Sequence, residues 1–223
     1  MTPTEFKLEF QQRYDAASLG GPDLNDYEIS RFLTEAIRRM VDEAYKGYES
    51  SEYHRRLLNP LIEESTVALV QSQVEEDYYN NIFTFDLTLP TDLYYILQEN
   101  VVLENNSCNK VIELTTVDLD NLTIAMKNPF KKPNKRKVLR AELGARQLRL
   151  YSSDIINTYK LKYIKQYTPL IVATLTGGQT IDGETAQSNT ELPVNVHYEI
   201  VKLGVLLATQ ALRENSLQTQ VNI

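Results

Sequence analysis

Between Ile29 and Tyr48 the apolar positions fall at steps of three and four: Ile29, Phe32, Leu33, Ala36, Ile37, Met40, Val41, Ala44, Tyr45 and Tyr48. That spacing draws one face of a helix of about five turns. Arg31, Glu35, Arg38, Arg39, Asp42 and Glu43 fall mainly on the other face. The preceding "NDYE" offers Asn25 as the cap and Glu28 as the residue that bonds back to it. Further on, Pro60 suits a first helical position, Glu63 and Glu64 suit the positive end of a helix, and Val67, Val70 and Val74 continue a helical stripe. A second helix is predicted over about 60–77. The period then changes to two. In "FTFDLTLP", Phe83, Phe85, Leu87 and Leu89 alternate with Thr84, Asp86 and Thr88, a half-buried strand stopped by Pro90.

"DLYYILQENVVLE" reads as the next strand, "NNSCN" as a turn and "KVIELT" as a third strand. "TTVDLDNLTIAMKNP" predicts a short helix with Thr116 as cap. "QLRLYS" and "TYKLKYIKQY" predict a hairpin across "SSDIIN". "TGGQTIDGETAQSNT" is long, polar and without apolar period, so residues 176–190 are expected to be a mobile loop. Pro193 opens a last helix with Val196, Ile200, Leu203, Leu207 and Ala211 as its stripe. The expected class is α+β: a helical bundle of long N-terminal and C-terminal helices with an inserted antiparallel β-rich middle. The expected organisation is an N-terminal arm (1–24), a helical domain (25–80 and 191–215), the β-rich insertion (81–175), the flexible loop (176–190) and a tail (216–223).

Composition excludes more than it identifies. The 223 residues are 42% hydrophobic and 24% charged, an ordinary globular balance. No apolar run approaches the roughly 20 residues of a membrane helix, and the N-terminus lacks the order of a signal peptide, so a cytoplasm-like compartment is expected. Cys108 is the single cysteine, which excludes an internal disulfide and reads as a free thiol. His54 and His197 stand alone in predicted helices, without ligand spacing around them. The acidic pairs Glu63–Glu64 and Asp118–Asp120, and the run at 75–77, read as solvated helix positions rather than Mg²⁺ ligands. No nucleophile elbow, zinc-protease or phosphate-loop pattern occurs. Neither an enzyme nor a cofactor is expected.

Charge gives the one strong signal. The formal net charge is -7, yet residues 1–120 carry 9 Lys and Arg against 23 Asp and Glu, and residues 121–223 carry 14 against 7. The positive charge peaks in "NPFKKPNKRKVLR" and the residue before it: Lys127, Lys131, Lys132, Lys135, Arg136, Lys137 and Arg140. Pro129 and Pro133 bar a continuous helix through these residues. They are the candidate contact residues. A loop of this kind can neutralise phosphates without sequence choice, meet the acidic half of a neighbouring copy, or stand solvated.

The order of elements resembles the head-to-tail connector, or portal-proximal ring, proteins of short-tailed bacteriophages, the crAss-like group above all. The resemblance rests on "EISRFLTEAIRRMVDEAY", "LTLPTDLYYIL", "NPFKKPNKR", "YKLKYIKQYTPLI" and "ELPVNVHYEIVKLGVLLATQAL", which follow one another over most of residues 27–214. It implies a virion structural protein assembled in the host cytoplasm. Its implied partners are other copies of itself in a ring, commonly of twelve, the portal, other tail proteins, and double-stranded DNA passing through the lumen. No membrane and no catalytic motif belong to this picture. The N-terminal arm and the loop at 176–190 are then expected to order on assembly. The alternative is a nonspecific nucleic-acid-binding protein acting through the basic loop at residues 127–140.

Overall fold

The computed structural model describes residues 1–18, 22–75, 82–104 and 111–221. The described residues form helices α1 (Pro3–Ser18), α2 (Asp26–Lys46), α3 (Glu52–Leu58), α4 (Leu119–Lys127) and α5 (His197–Val221). They also form strands β1 (Ile62–Val67), β2 (Val70–Glu75), β3 (Ile82–Thr88), β4 (Leu93–Leu103), β5 (Val111–Thr116), β6 (Val138–Gly144), β7 (Gln147–Ser152) and β8 (Ile156–Lys165). The class is α+β, as expected. The chain divides into two units, a helical one of residues 1–61 and 167–223 and a β-rich one of residues 62–166.

In the helical unit α2 is the element that the apolar spacing foretold. Ile29, Leu33, Ala36, Ile37, Val41 and Ala44 are buried on one face. The capping box is present: Glu28 N donates to Asn25 Oδ1 at 2.9 Å, and Asn25 N donates to Glu28 Oε2 at 2.9 Å. The expected N-terminal arm is instead helix α1, which packs along α5 and buries Phe6, Phe10 and Tyr14. Its buried stripe is one residue wide per turn, at steps of four, and Leu8 is left 54% exposed on the rest of a mostly polar surface. Gly204 of α5 faces both α1 and α2. A Cβ there would lie 3.2 Å from Leu33 Cδ2 of α2 and 3.4 Å from Phe10 Cε2 of α1. Gly204→Leu therefore overpacks this crossing and is expected to cost about 1–3 kcal/mol in urea unfolding, with α1 displaced first.

Residues 167–190 run over this unit without regular structure, yet their backbone is tied down. Leu170 N and Val172 N donate to Thr34 Oγ1 and Ser30 Oγ of α2 at 3.1 and 3.0 Å. Leu175 N donates to Thr185 O at 2.8 Å. Ile171, Leu175 and Ile181 form a small core with Tyr27. Asp182 and Gly183, at φ 50° and 88°, make the tight turn that lets Ile181 and Glu184 pair.

The β-rich unit has strand order β1-β8-β4-β5-β6-β7-β3-β2. All the pairings are antiparallel except β5 with β6, the join between two antiparallel halves. Residues 60–75 of the expected helix at 60–77 are a 3-10 turn followed by β1 and β2, and residues 76 and 77 lie outside the described residues. The reason is cross-strand: Glu63 and Glu64 meet Lys165 and Lys162 of β8 at 3.3 and 3.1 Å, and Thr66, Val67 and Val70 are β-branched. Only Ala68 and Leu69 separate β1 from β2, so the two ends of the strand order are one bent strand. Phe85 and Leu87 of β3 share a core with Val101 of β4 and Tyr159 and Leu161 of β8, although four strands lie between β3 and β8. The sheet therefore wraps around its own interior. The expected hairpin of β7 with β8 does not form. β7 lies between β6 and β3, and β8 between β1 and β4.

Folding redistributes the charge. The helical unit carries 10 Lys and Arg against 16 Asp and Glu, a balance of -6, and the β-rich unit 13 against 14, a balance of -1. The polarity between the two halves of the sequence is thus not a polarity between folded units. It survives locally, because six of the cations in the β-rich unit fall within residues 127–137.

Candidate partner-binding surface

Helix α4 presents the basic segment. Its Ala125, Leu122 and Met126 pack on Leu139, Ala141 and Tyr151, the outward-facing residues of β6 and β7. The helix ends on Lys127, and Asn128 closes it. Asn128 Oδ1 accepts from Phe130 N at 2.9 Å, while Lys131 N and Lys132 N donate to Asn128 O at 3.0 and 2.9 Å. Pro133 is buried. A second tight turn follows, in which Asn134 and Lys137 exchange both backbone hydrogen bonds at 3.0 Å, and Arg136 N donates to Asn134 Oδ1 at 2.8 Å. Two asparagines and a buried proline thus hold this loop in one shape.

Lys127, Lys131, Lys135 and Arg136 are exposed, and Lys132 and Lys137 half-buried. Among the described residues, no carboxylate stands in an ion pair with any of the six. Arg140 does not join them. On β6 its side chain follows Val138 toward the interior, and the residue is 7% exposed. Its Nε lies 3.1 Å from Glu99 Oε1 without an aligned hydrogen bond, Nη2 donates to Glu142 at 2.8 Å and Nη1 to Thr116 Oγ1 at 3.3 Å. The Tyr159 hydroxyl donates to the same Glu99. Arg140 is thus the buried counter-ion of the partly buried Glu99 carboxylate, a role the strand alternation Val138–Arg140 could have signalled. Phe130, which charge alone did not single out, is 88% exposed between the cations. Leu119 and Ile124 of α4 are exposed as well, at 49% and 63%.

Both histidines belong to helical packing. His197 is buried, its Nε2 bonds Leu192 O at 3.1 Å, and burial lowers its pKa below the ordinary value. His54 lies against Gly47, where a Cβ would come within 2.0 Å of its Nδ1. Among the described residues no group of three His, Cys, Asp or Glu side chains could hold a metal ion, and no helix is long and apolar enough to cross a membrane. The perturbed groups are mostly phenols. Burial, and then the charge of Glu99, raises Tyr159; burial, with Asp92 and Glu63 beside it, pushes Tyr163 up to about 12. In both, the folded chain holds the proton more tightly than the unfolded chain. The stability this contributes is full below about pH 10 and is lost as pH rises through the folded values. Unfolding followed by circular dichroism is expected to show a plateau through neutral pH and a steep loss above about pH 10. Tyr159→Phe would blunt that loss.

A second surface feature lies on the helical unit. Two adjoining hollows share Glu199 and Leu203 of α5. Met40 and Leu57 line one, and Val205 and Leu206 the other, with Glu43 and Glu199 as the carboxylates and Lys202 as a cation among their lining residues. Tyr53 donates to Glu199 at 2.8 Å, and Leu206 is 50% exposed.

The sequence matches the family described as phage tail ring protein 3/4 over residues 1–220. Ring protein 3 of Bacteroides phage crAss001 is 32% identical over 200 residues, covering 83% of this chain and 84% of that protein. Ring protein 4/5 of the same phage is 28% identical over 240 residues, covering 100% of this chain and 98% of that one.

Proposed function

Because the chain belongs to the phage tail ring protein 3/4 family, whose members are structural ring proteins of the virion, we propose that it forms a closed ring of twelve copies in the head-to-tail connector below the portal. The family match over residues 1–220 is the observation that supports the ring. The surface described above supports it: six cations that pair with no carboxylate among the described residues, held in a shaped loop, suit a permanent contact with a carboxylate-bearing neighbour. In this reading double-stranded DNA passes through the lumen, and the excess negative charge of the subunit weakly repels phosphate and lets the duplex slide. The basic loop meets a protein, either the adjacent copy or the portal.

Electron microscopy of the purified chain, alone and mixed with the portal and other tail proteins of its phage, is the test. Closed rings are expected. A chain that stays monomeric in every mixture overturns the proposal. Replacing Lys131, Lys132, Lys135, Arg136 and Lys137 by Ala separates the partners of the loop. A protein contact predicts loss of assembly. A phosphate contact predicts intact rings with lower, less salt-dependent DNA affinity.

A further inference from the structure

We infer that Phe130 is the apolar anchor of the ring, and that the loop of one copy seats on the α5 hollow of the next. This rests on the ring assembly proposed above and names its interface. The first observation is the placement of Phe130. A phenyl ring 88% exposed at the tip of a hydrogen-bonded loop gains nothing from its own fold. Exposed charge pairs contribute little affinity by themselves, whereas aromatic anchors that enter a pocket dominate interface energies. The flanking lysines then orient the loop and steer its approach. The Asn128 and Asn134 turns hold the loop in the form it presents, so little ordering is needed on docking.

The second observation is a complementary surface on the same chain. The adjoining hollows on α5 offer the half-buried Leu203 and the exposed Leu206 to a ring, with Glu43 and Glu199 as two carboxylates against the single cation Lys202. It belongs to the unit with the balance of -6, while the loop carries six of the cations of the other unit. Loop and hollow are unlike surfaces, so the contact is heterologous. A heterologous contact leaves each pair with one free loop and one free hollow, and it repeats until the chain of copies closes. Contact with DNA makes no use of an apolar hollow whose lining carries two carboxylates and one lysine.

Complementary variants test this. Phe130→Ser removes the anchor, and Leu206→Lys blocks the hollow. Both positions are exposed, so melting temperatures should match the wild type. Each variant alone is expected to weaken self-association about 30-fold or more, read by mass photometry or sedimentation. Mixed one to one, they keep one working interface between unlike copies and should give heterodimers that grow no further. Rings formed by either variant at wild-type concentrations overturn the inference while leaving the ring proposal intact. So does a mixture that yields no dimer or that yields full rings, and so does a Phe130→Ser variant that loses DNA affinity but still assembles. A wild-type chain that never assembles overturns the ring proposal first and this contact with it.

Discussion

Arg140→Ala is expected to remove about 3–5 kcal/mol from the stability of the β-rich unit. Glu99, with a side chain 12% exposed, would keep its charge without the guanidinium that lies 3.1 Å away. Thr116 would lose its donor as well. The loss appears as a lower urea midpoint with little change in slope, followed by far-ultraviolet dichroism. Arg140→Met alone should be nearly as damaging, because the carboxylate remains. Combining it with Glu99→Leu and Tyr159→Phe removes the polar cluster as a unit and should recover most of the loss, since well-packed apolar groups replace buried ion pairs at little or no cost. A triple variant as unstable as the single one would show that the network does more than neutralise Glu99.

Phe10→Ala is the second large expected effect, a loss of about 3–5 kcal/mol from the helical unit. Phe10 is fully buried, stacks at 6.1 Å on Tyr14 and approaches α5 where Gly204 leaves room. The void would sit between α1 and α5, so limited proteolysis is expected to release α1 well before the rest of the unit unfolds. If protease resistance and the urea midpoint were both unchanged, the docking of α1 would contribute nothing to stability.

These two residues show what could be read from the chain alone. The face of α2 was legible because nine apolar positions within it keep the helical spacing and its capping residues are local. The strand at Phe83, Phe85 and Leu87 was legible for the same reason with a period of two. Phe6, Phe10 and Tyr14 also keep a spacing, but as a single row in a mostly polar segment followed by glycines. What decides that α1 is a docked helix is α5, some 190 residues later. Over residues 60–77 the spacing of Val67, Val70 and Val74 fits a helix as well as a strand. The partners that settle it, Lys162 and Lys165, are a hundred residues away. The missing hairpin of β7 with β8 has the same origin, because strand neighbours in a wrapped sheet are chosen by the core and not by chain proximity. In the candidate surface, the cations were legible as a cluster. Charge counting could not separate the buried Arg140 from the rest, nor show that Phe130 is the most exposed of the large apolar side chains described.

The docking of α1 and α2 on α5 also governs how the protein is made. On the ribosome, Phe6, Phe10 and Ile29 emerge well before the helix at His197–Val221 that covers them. At roughly 5–20 residues per second, these side chains wait for about ten to forty seconds without their partner. The nascent chain therefore shows a sticky amino-terminal segment for most of its synthesis, a natural substrate for the host's holding chaperones. Moving the same helix to the front by circular permutation should lower that dependence.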